Sequence, residues 1–269
     1  MINSRYKVSL SILAVSIIPS LVKAEVSLPN IFGDHMVLQS GQQNPVWGQA
    51  DPGEKISVSI AAQKHETVAD NNGQWQLELE PLSVEGPHQL TVKGNNTVTF
   101  EDVLVGEVWL CSGQSNMAWP INKTNDQDLE IVSANYPDIR LISAPINGAE
   151  TAQFSFDDQW KLTTSDTVGE FSAACYFFGR KLHNTLNVPI GLINTAWGGS
   201  RIESFMPRSA LEETGEYSEY LADWDRRIAE DSDREYAKKL TEYQAWQAAG
   251  SQGKKYLPKH AKVANHAPG

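Results

Sequence analysis

The chain has 269 residues, of which 41% are hydrophobic and 20% charged, an ordinary composition for a globular protein with a substantial core. A formal net charge of −11 argues against nucleic acid or an anionic membrane surface as a partner. Neither composition nor charge identifies a substrate.

Residues 1–24 have the pattern of a secretory signal peptide. Arg5 and Lys7 precede an apolar run too short to span a bilayer comfortably, and Val22 and Ala24 occupy the small-residue positions before a cleavage point. The alternative, a membrane anchor, is disfavoured because no stop-transfer pattern follows. We therefore expect export to the bacterial periplasm or the extracellular space, with no membrane attachment after cleavage.

Cys111 and Cys175 are the only cysteines. In an exported protein such a pair can form a disulfide, but cysteine is also among the most frequently buried residues. Both lie in strongly apolar stretches. We therefore expect two buried thiols rather than a bridge.

Residues 25–103 alternate apolar and polar side chains in short runs separated by turn signals such as "DPGE" and "DNNGQ". This spacing predicts an antiparallel β-sandwich domain, with Trp75, Leu77 and Leu79 of "QWQLELE" turned inward. The histidines of this region are scattered, and we interpret them as solvated surface residues: His35, His65 and His88.

From residue 104 to 210 the pattern changes to an α/β alternation. A strand buried on both faces is predicted for "VLVGEVWLCS", further strands for "RLISAP" and "VPIGLIN", and a buried helix for "FSAACYFFGRKLHNTL". The active sites of parallel α/β sheets lie beyond the carboxyl ends of the strands. "CSGQSNM" and "TAWGGSRIE" both fall at such ends.

Residues 211–269 predict a helical insertion followed by a tail. The stretch up to Gly250 is polar and charged, and we interpret its interspersed tyrosines and tryptophans as the packed side of surface helices. A carbohydrate-stacking surface is the alternative. The tail has loop composition, and the domain ends as if cut.

The residues alone allow two interpretations of Ser115, a nucleophile or a helix cap. A serine nucleophile needs a base and donors for an oxyanion, and the Ser115 N–H with a backbone donor from Gly198 or Gly199 would suit the second need. However, "GQSNM" lacks the second glycine of the G-x-S-x-G elbow, which disfavours an α/β-hydrolase. On spacing alone, a helix-capping serine is the better interpretation.

Several linked motifs resemble the sialate O-acetylesterase family of SGNH-type hydrolases: "GEVWLCSGQSNMAWP", "FSAACYFFGRKL", "PIGLINTAWGGSRIESFMP" and the leading "LPNIFGDHMVLQ". The resemblance implies a β-domain followed by an SGNH-like α/β domain, and deacetylation of sugars without cofactor or metal. It makes Ser115 the nucleophile, with oxyanion and binding residues at Gln114, Asn116, Gly198 and Gly199.

The chain also departs from that family. A "QGESN" segment and a later Asp–His pair, which would complete the oxyanion hole and supply the base, are absent from the sequence. His260 and His266 have no nearby Asp, and we interpret His183 as an exposed helix residue. We therefore expect a chain truncated after the first half of the family's length, with feeble hydrolysis on its own.

The sequence thus predicts an exported serine esterase that removes acetyl groups from sugars, with O-acetylated sialic acid as substrate. Acetylated xylan is an alternative substrate, because some relatives act on it. A non-catalytic glycan-binding protein, with the β-sandwich as its binding module, is an alternative of a different class. The partner in each case is an acetylated sugar or glycan.

Overall fold

The structure is a computed structural model that describes residues 25–149, 151–230 and 233–251. The predicted signal peptide, His260 and His266 lie outside the described residues. The elements in chain order are β1 (Val37–Gln39), β2 (Asn44–Gln49), β3 (Lys55–Ile60), β4 (Gln63–Val68), β5 (Gln74–Leu79), β6 (His88–Lys93), β7 (Thr97–Cys111), α1 (Gln127–Val132), β8 (Asn135–Ser143), β9 (Lys161–Thr164), α2 (Ala173–Leu186), β10 (Ile190–Asn194), α3 (Arg208–Thr214), α4 (Ser218–Glu230) and α5 (Asp233–Ala248). Among these helices, none is long and apolar enough to cross a membrane.

One large mixed sheet organises the chain. Its strand order is β4-β3-β6-β7-β10-β8-β9, with β1 also paired to β7, and β2 and β5 form a separate two-stranded sheet. Strands β7, β10 and β8 run parallel, while β4, β3, β6 and the first part of β7 are antiparallel. The predicted mixed α/β class is confirmed.

The long strand β7 belongs to both parts of the sheet. Its first residues pair with β6 and its last five with β10, so the predicted domain boundary at residue 103 falls inside a continuous strand. A separate β-sandwich domain therefore stays a prediction. The strand is less buried than expected: Trp109 is 42% exposed and Leu110 is 65% exposed. The expectation of burial on both faces is wrong there: Phe178 of α2 covers the Trp109 ring only in part, with ring centroids 5.0 Å apart, and Leu110 on the opposite face is exposed.

The period-2 pattern of β5 sets which side chains face the core. Trp75 and Leu79 are buried and Leu77 is half-buried, between exposed polar neighbours. Trp75 and Leu79 share a hydrophobic core with residues of β3 and β6. The inward orientation of these residues is confirmed.

A buried arginine links β8 to β7 and to the segment just before β1. Arg140 is 3% exposed, and its guanidinium contacts the Asp102 carboxylate and donates to the His35 carbonyl at 2.9 Å. His35 Nδ1 lies 2.7 Å from Asp102 Oδ2 while 39% of its side chain stays exposed, so His35 is a partly exposed residue with a carboxylate partner. Its ring is fixed by a carboxylate that also balances the buried charge.

The expectation of free thiols is also wrong. Cys111 ends β7 and Cys175 lies in the first turn of α2, with their Cα atoms 5.9 Å apart and their sulfurs joined in a disulfide. Both are buried in the core between α2 and the parallel strands. The apolar surroundings that suggested two separate thiols instead bring the two sulfurs together.

The charged C-terminal stretch forms helices, as predicted. Trp224 is buried, with 3% exposure, and Arg208 of α3 makes a two-pronged ion pair with Asp225 of α4. The other aromatic residues of this stretch are half-buried: Tyr217, Tyr220, Tyr236, Tyr243 and Trp246. Trp224 therefore lies on a packed side, as expected, whereas for the other five this interpretation stays a prediction.

Candidate active site

Ser115 lies exposed in a turn just beyond the carboxyl end of β7. The Ala118 N–H donates to the Gln114 carbonyl at 2.8 Å, which closes one turn without starting an α-helix. The chain then continues into the short 3-10 helix Ile121–Lys123. The helix-cap interpretation of Ser115 is therefore wrong.

Gly113 makes the abrupt exit from β7 possible. Its φ of +141° is a backbone conformation that side-chain-bearing residues rarely adopt. The turn that follows leaves Gln114 and Asn116 exposed on either side of Ser115. All three polar side chains therefore lie at the carboxyl edge of the parallel strands.

The glycine turn after β10 meets the Ser115 turn. β10 pairs in parallel with β7, and beyond the strand ends the Trp197 N–H donates to the Gly113 carbonyl at 2.8 Å. A Cβ atom built on Gly198 would lie 3.5 Å from Ser115 Oγ. The prediction that the two motifs come together is confirmed. Gly199, with a φ of +81°, continues the turn.

The amino end of α2 fastens the Ser115 turn from the other side. The Ser172 hydroxyl donates to the Met117 carbonyl at 2.6 Å and accepts from the Cys175 N–H at 3.1 Å, which caps the helix. The Ala173 N–H donates to the Trp119 carbonyl at 2.8 Å. Sequence reasoning missed Ser172, although a serine directly before an apolar helical run is an N-cap signal.

His183 lies at the wrong end of α2 to serve Ser115. Its Nδ1 atom is 2.8 Å from the Val188 carbonyl, and it is half-buried rather than exposed as predicted. The helix rise places it about 16 Å along the axis from Ser172, the residue that holds the Ser115 turn. No histidine–carboxylate pair beside Ser115 is found among the described residues.

The carboxyl end of β8 borders the same edge. The Ala144 N–H donates to the Asn194 carbonyl at 2.9 Å, and the Ser143 N–H donates to Asp158 at 2.8 Å. Burial alone would raise the pKa of Asp158, but Lys161 and the backbone donors lower it below its ordinary value. Asp158 is therefore held as a carboxylate that fixes the strand end.

A cavity of about 590 Å³ opens beside Ala144. Trp47 and Phe154 line it, with exposed fractions of 36% and 39%, together with polar groups of Asn147 and Asp157. Within the described ranges there is no cluster of three or more His, Cys, Asp or Glu side chains that would hold a metal ion.

A serine on a strand-end turn, facing a glycine turn from the neighbouring parallel strand, is typical of α/β enzymes that act at the carboxyl edge of the sheet. The chain belongs to the carbohydrate esterase family of sialic acid-specific acetylesterases, whose family model matches residues 105–244. That match contains both motifs and α2.

Curated relatives and a solved structure agree with this family. The chain is 34% identical over 201 residues to the human sialate O-acetylesterase and 32% identical over 203 residues to the mouse one, covering 67% and 68% of this chain. A carbohydrate acetylesterase structure from Xanthomonas citri is 37% identical, with a TM-score of 0.68, over 70% of this chain and 44% of that one. The aligned region spans 38% of the length of these curated relatives.

Proposed function

We propose that this chain is the first part of an exported carbohydrate O-acetylesterase and that Ser115 is its nucleophile. The observation that carries the proposal is the approach of Gly198 to the Ser115 hydroxyl across two parallel strand ends. An exposed serine beside two backbone turns suits attack on a carbonyl whose oxygen must be held by N–H donors.

In the proposed reaction, Ser115 Oγ forms a bond to the acetyl carbonyl carbon while a base takes the hydroxyl proton. The carbonyl oxygen becomes an oxyanion, for which the N–H groups of Ser115 and of Gly198 or Gly199 are the candidate donors. The bond to the sugar oxygen then breaks, and that oxygen receives the proton. Water attacks the acetyl-enzyme in the same way and releases acetate.

The base belongs to a part of the protein beyond the described residues. This part of the proposal rests on the position of His183 far from Ser115 and on the 38% of the relatives' length that the alignment spans. Export rests on the signal-like pattern of residues 1–24.

The proposed substrate class is an O-acetylated sugar, with O-acetylated sialic acid first because the curated relatives are sialate O-acetylesterases. The test is acetate release by the protein extended to the family's length, from O-acetylated sialic acid and from acetylated xylan side by side. Faster release from the sialic acid supports this assignment, and faster release from xylan transfers it to the alternative. Absence of release from both contradicts the esterase proposal.

A glycan-binding role is the second candidate, because Trp47 and Phe154 line a cavity near the same edge. Aromatic faces with nearby amide and carboxylate groups suit a sugar ring. Calorimetric binding of a deacetylated glycan by a protein that releases no acetate would favour this role.

A further inference from the structure

We propose that the Cys111–Cys175 disulfide and the Ser172 hydroxyl are positioning groups that hold the Ser115 turn at the carboxyl edge of the sheet. Their effect on catalysis rests on the proposed function, whereas their effect on the turn does not. Neither group lies among the residues that would contact the acetyl group.

The disulfide fixes the point where the turn begins. Cys111 is the last residue of β7, four positions before Ser115, and its carbonyl accepts the Thr195 N–H at 2.9 Å. Cys175 lies in the first turn of α2. The bridge therefore joins the ends of β7 and α2 covalently, at the place where β10 also pairs.

Ser172 and Ala173 hold the residues at which the turn ends. The Ser172 hydroxyl donates to the carbonyl of Met117, two residues after Ser115, and the Ala173 N–H donates to the Trp119 carbonyl. The turn is thus held before and after Ser115 by the same end of the same helix.

These restraints on both sides of Ser115 matter because the residues around Ser115 are exposed, and Met117 is only partly buried against the core. Ser112 and the segment Gln114–Asn116 are exposed, so burial contributes little to holding Ser115 opposite Gly198. Segments with few buried contacts open locally at low free-energy cost unless something else restrains them. A nucleophile displaced by about 1 Å loses much of its reactivity.

The test is hydrogen exchange of individual amides in the folded chain, before and after reduction of the bridge. Mass spectrometry of the native chain must first find no free thiol. Reduction should then raise exchange at Ala118 and Trp197, which donate within and to the turn, by roughly tenfold or more. Amides of β3 and β6 should keep their protection.

Ser172→Ala should raise exchange at the same two amides without reduction, and Ser172→Thr, which keeps a hydroxyl, should restore the slow rate. Ser133→Ala at the end of α1 is the matched control, because that hydroxyl bonds to Glu130 and does not touch the turn. The Cys175→Ser variant removes the disulfide without a reductant and should show the same rise in exchange at Ala118 and Trp197.

Three results would overturn the proposal: free thiols in the native chain, unchanged amide exchange in the turn, or a uniform rise in exchange that includes β3 and β6. The last result would show that the disulfide stabilises the whole fold rather than the turn. In the extended protein, reduction should lower kcat for acetate release with KM little changed. If no acetate release is found at all, the proposed function fails while the exchange result still decides whether these groups hold the turn.

Discussion

Arg140 carries a buried positive charge that Asp102 balances. Burial alone would raise the pKa of Asp102, but the contacts with Arg140 and His35 outweigh it and lower that pKa below its ordinary value. Asp102 has a φ of +55°, a conformation that Asn also tolerates. Asn is therefore the substitution that removes the charge with the least change of backbone.

Asp102→Asn should lower the free energy of unfolding by about 1–2 kcal/mol at neutral pH, because Arg140 loses its charged acceptor while remaining buried. A carboxylate with a lowered folded pKa stabilises the chain above the unfolded value of about 4, and this stabilisation is lost as the pH falls through the folded value. Urea unfolding of both proteins at neutral and acid pH measures the difference, which should shrink in acid. Asp138→Asn, an exposed carboxylate on β8, is the control. A difference that does not change with pH would contradict the assignment.

Gly198→Ala should leave the fold intact but impair the site. The added Cβ would lie 3.5 Å from Ser115 Oγ, an ordinary contact distance, and would compete for space with an acyl group bound as proposed at that hydroxyl. We expect acetate release by the extended protein to fall at least about tenfold with little change in melting temperature. Gly169→Ala, whose Cβ would meet only Ile131 at 3.7 Å, should keep full activity. Equal activity of both variants would place Gly198 outside the site.

At the scale of single elements, the last five residues of β7 pair with β10 on one side, while on the other side the Val108 N–H bonds to the Gln39 side chain and, among the described residues, no strand pairs with them. Their side chains include the exposed Trp109 and Leu110. An apolar strand edge is a template for pairing with another chain.

The chain as it stands should therefore associate at micromolar to millimolar concentrations, and Leu110→Lys should weaken that association, because charges on edge strands oppose pairing. Analytical ultracentrifugation over a concentration series measures the effect. Leu129→Lys, at a residue with 68% exposure on α1, should change it little. If the chain stays monomeric, or if the two substitutions change the association equally, the chain does not associate through the edge of β7.

The elements with clear periodicity were predictable from the sequence. The alternation around Trp75 predicted the inward face of β5, and the apolar run before Leu186 predicted α2. The meeting of Ser115 and Gly198 was also predictable, because parallel strands bring their carboxyl ends to one edge. These features depend on local patterns and on one rule of sheet geometry.

Other features depend on contacts between distant residues, which no local pattern encodes. The Cys111–Cys175 bridge requires β7 and α2 to be adjacent, and apolar surroundings alone fit free thiols equally well. The His35 contact requires Asp102, 67 positions away. The role of β7 in both parts of the sheet was missed because a change of side-chain pattern does not end a strand.

At the scale of the whole molecule, the proposal that the base comes from a further segment of the full-length protein predicts that this chain releases acetate from an acetylated aryl ester at a rate near background. The protein extended to the family's length should be faster by roughly 10²–10⁴-fold, the typical contribution of a positioned base. Parallel assays of the two proteins at equal concentration measure the gain. Equal rates would show that the extension supplies no base.

The most direct test of the account is Ser115→Ala in the extended protein, assayed for acetate release and for melting temperature. Ser112→Ala, another exposed serine in the same segment, is the matched control. We expect Ser115→Ala to abolish acetate release without lowering the melting temperature, because Ser115 caps no helix, and Ser112→Ala to retain activity. Unchanged acetate release from the Ser115→Ala protein would contradict the assignment of Ser115 as the nucleophile.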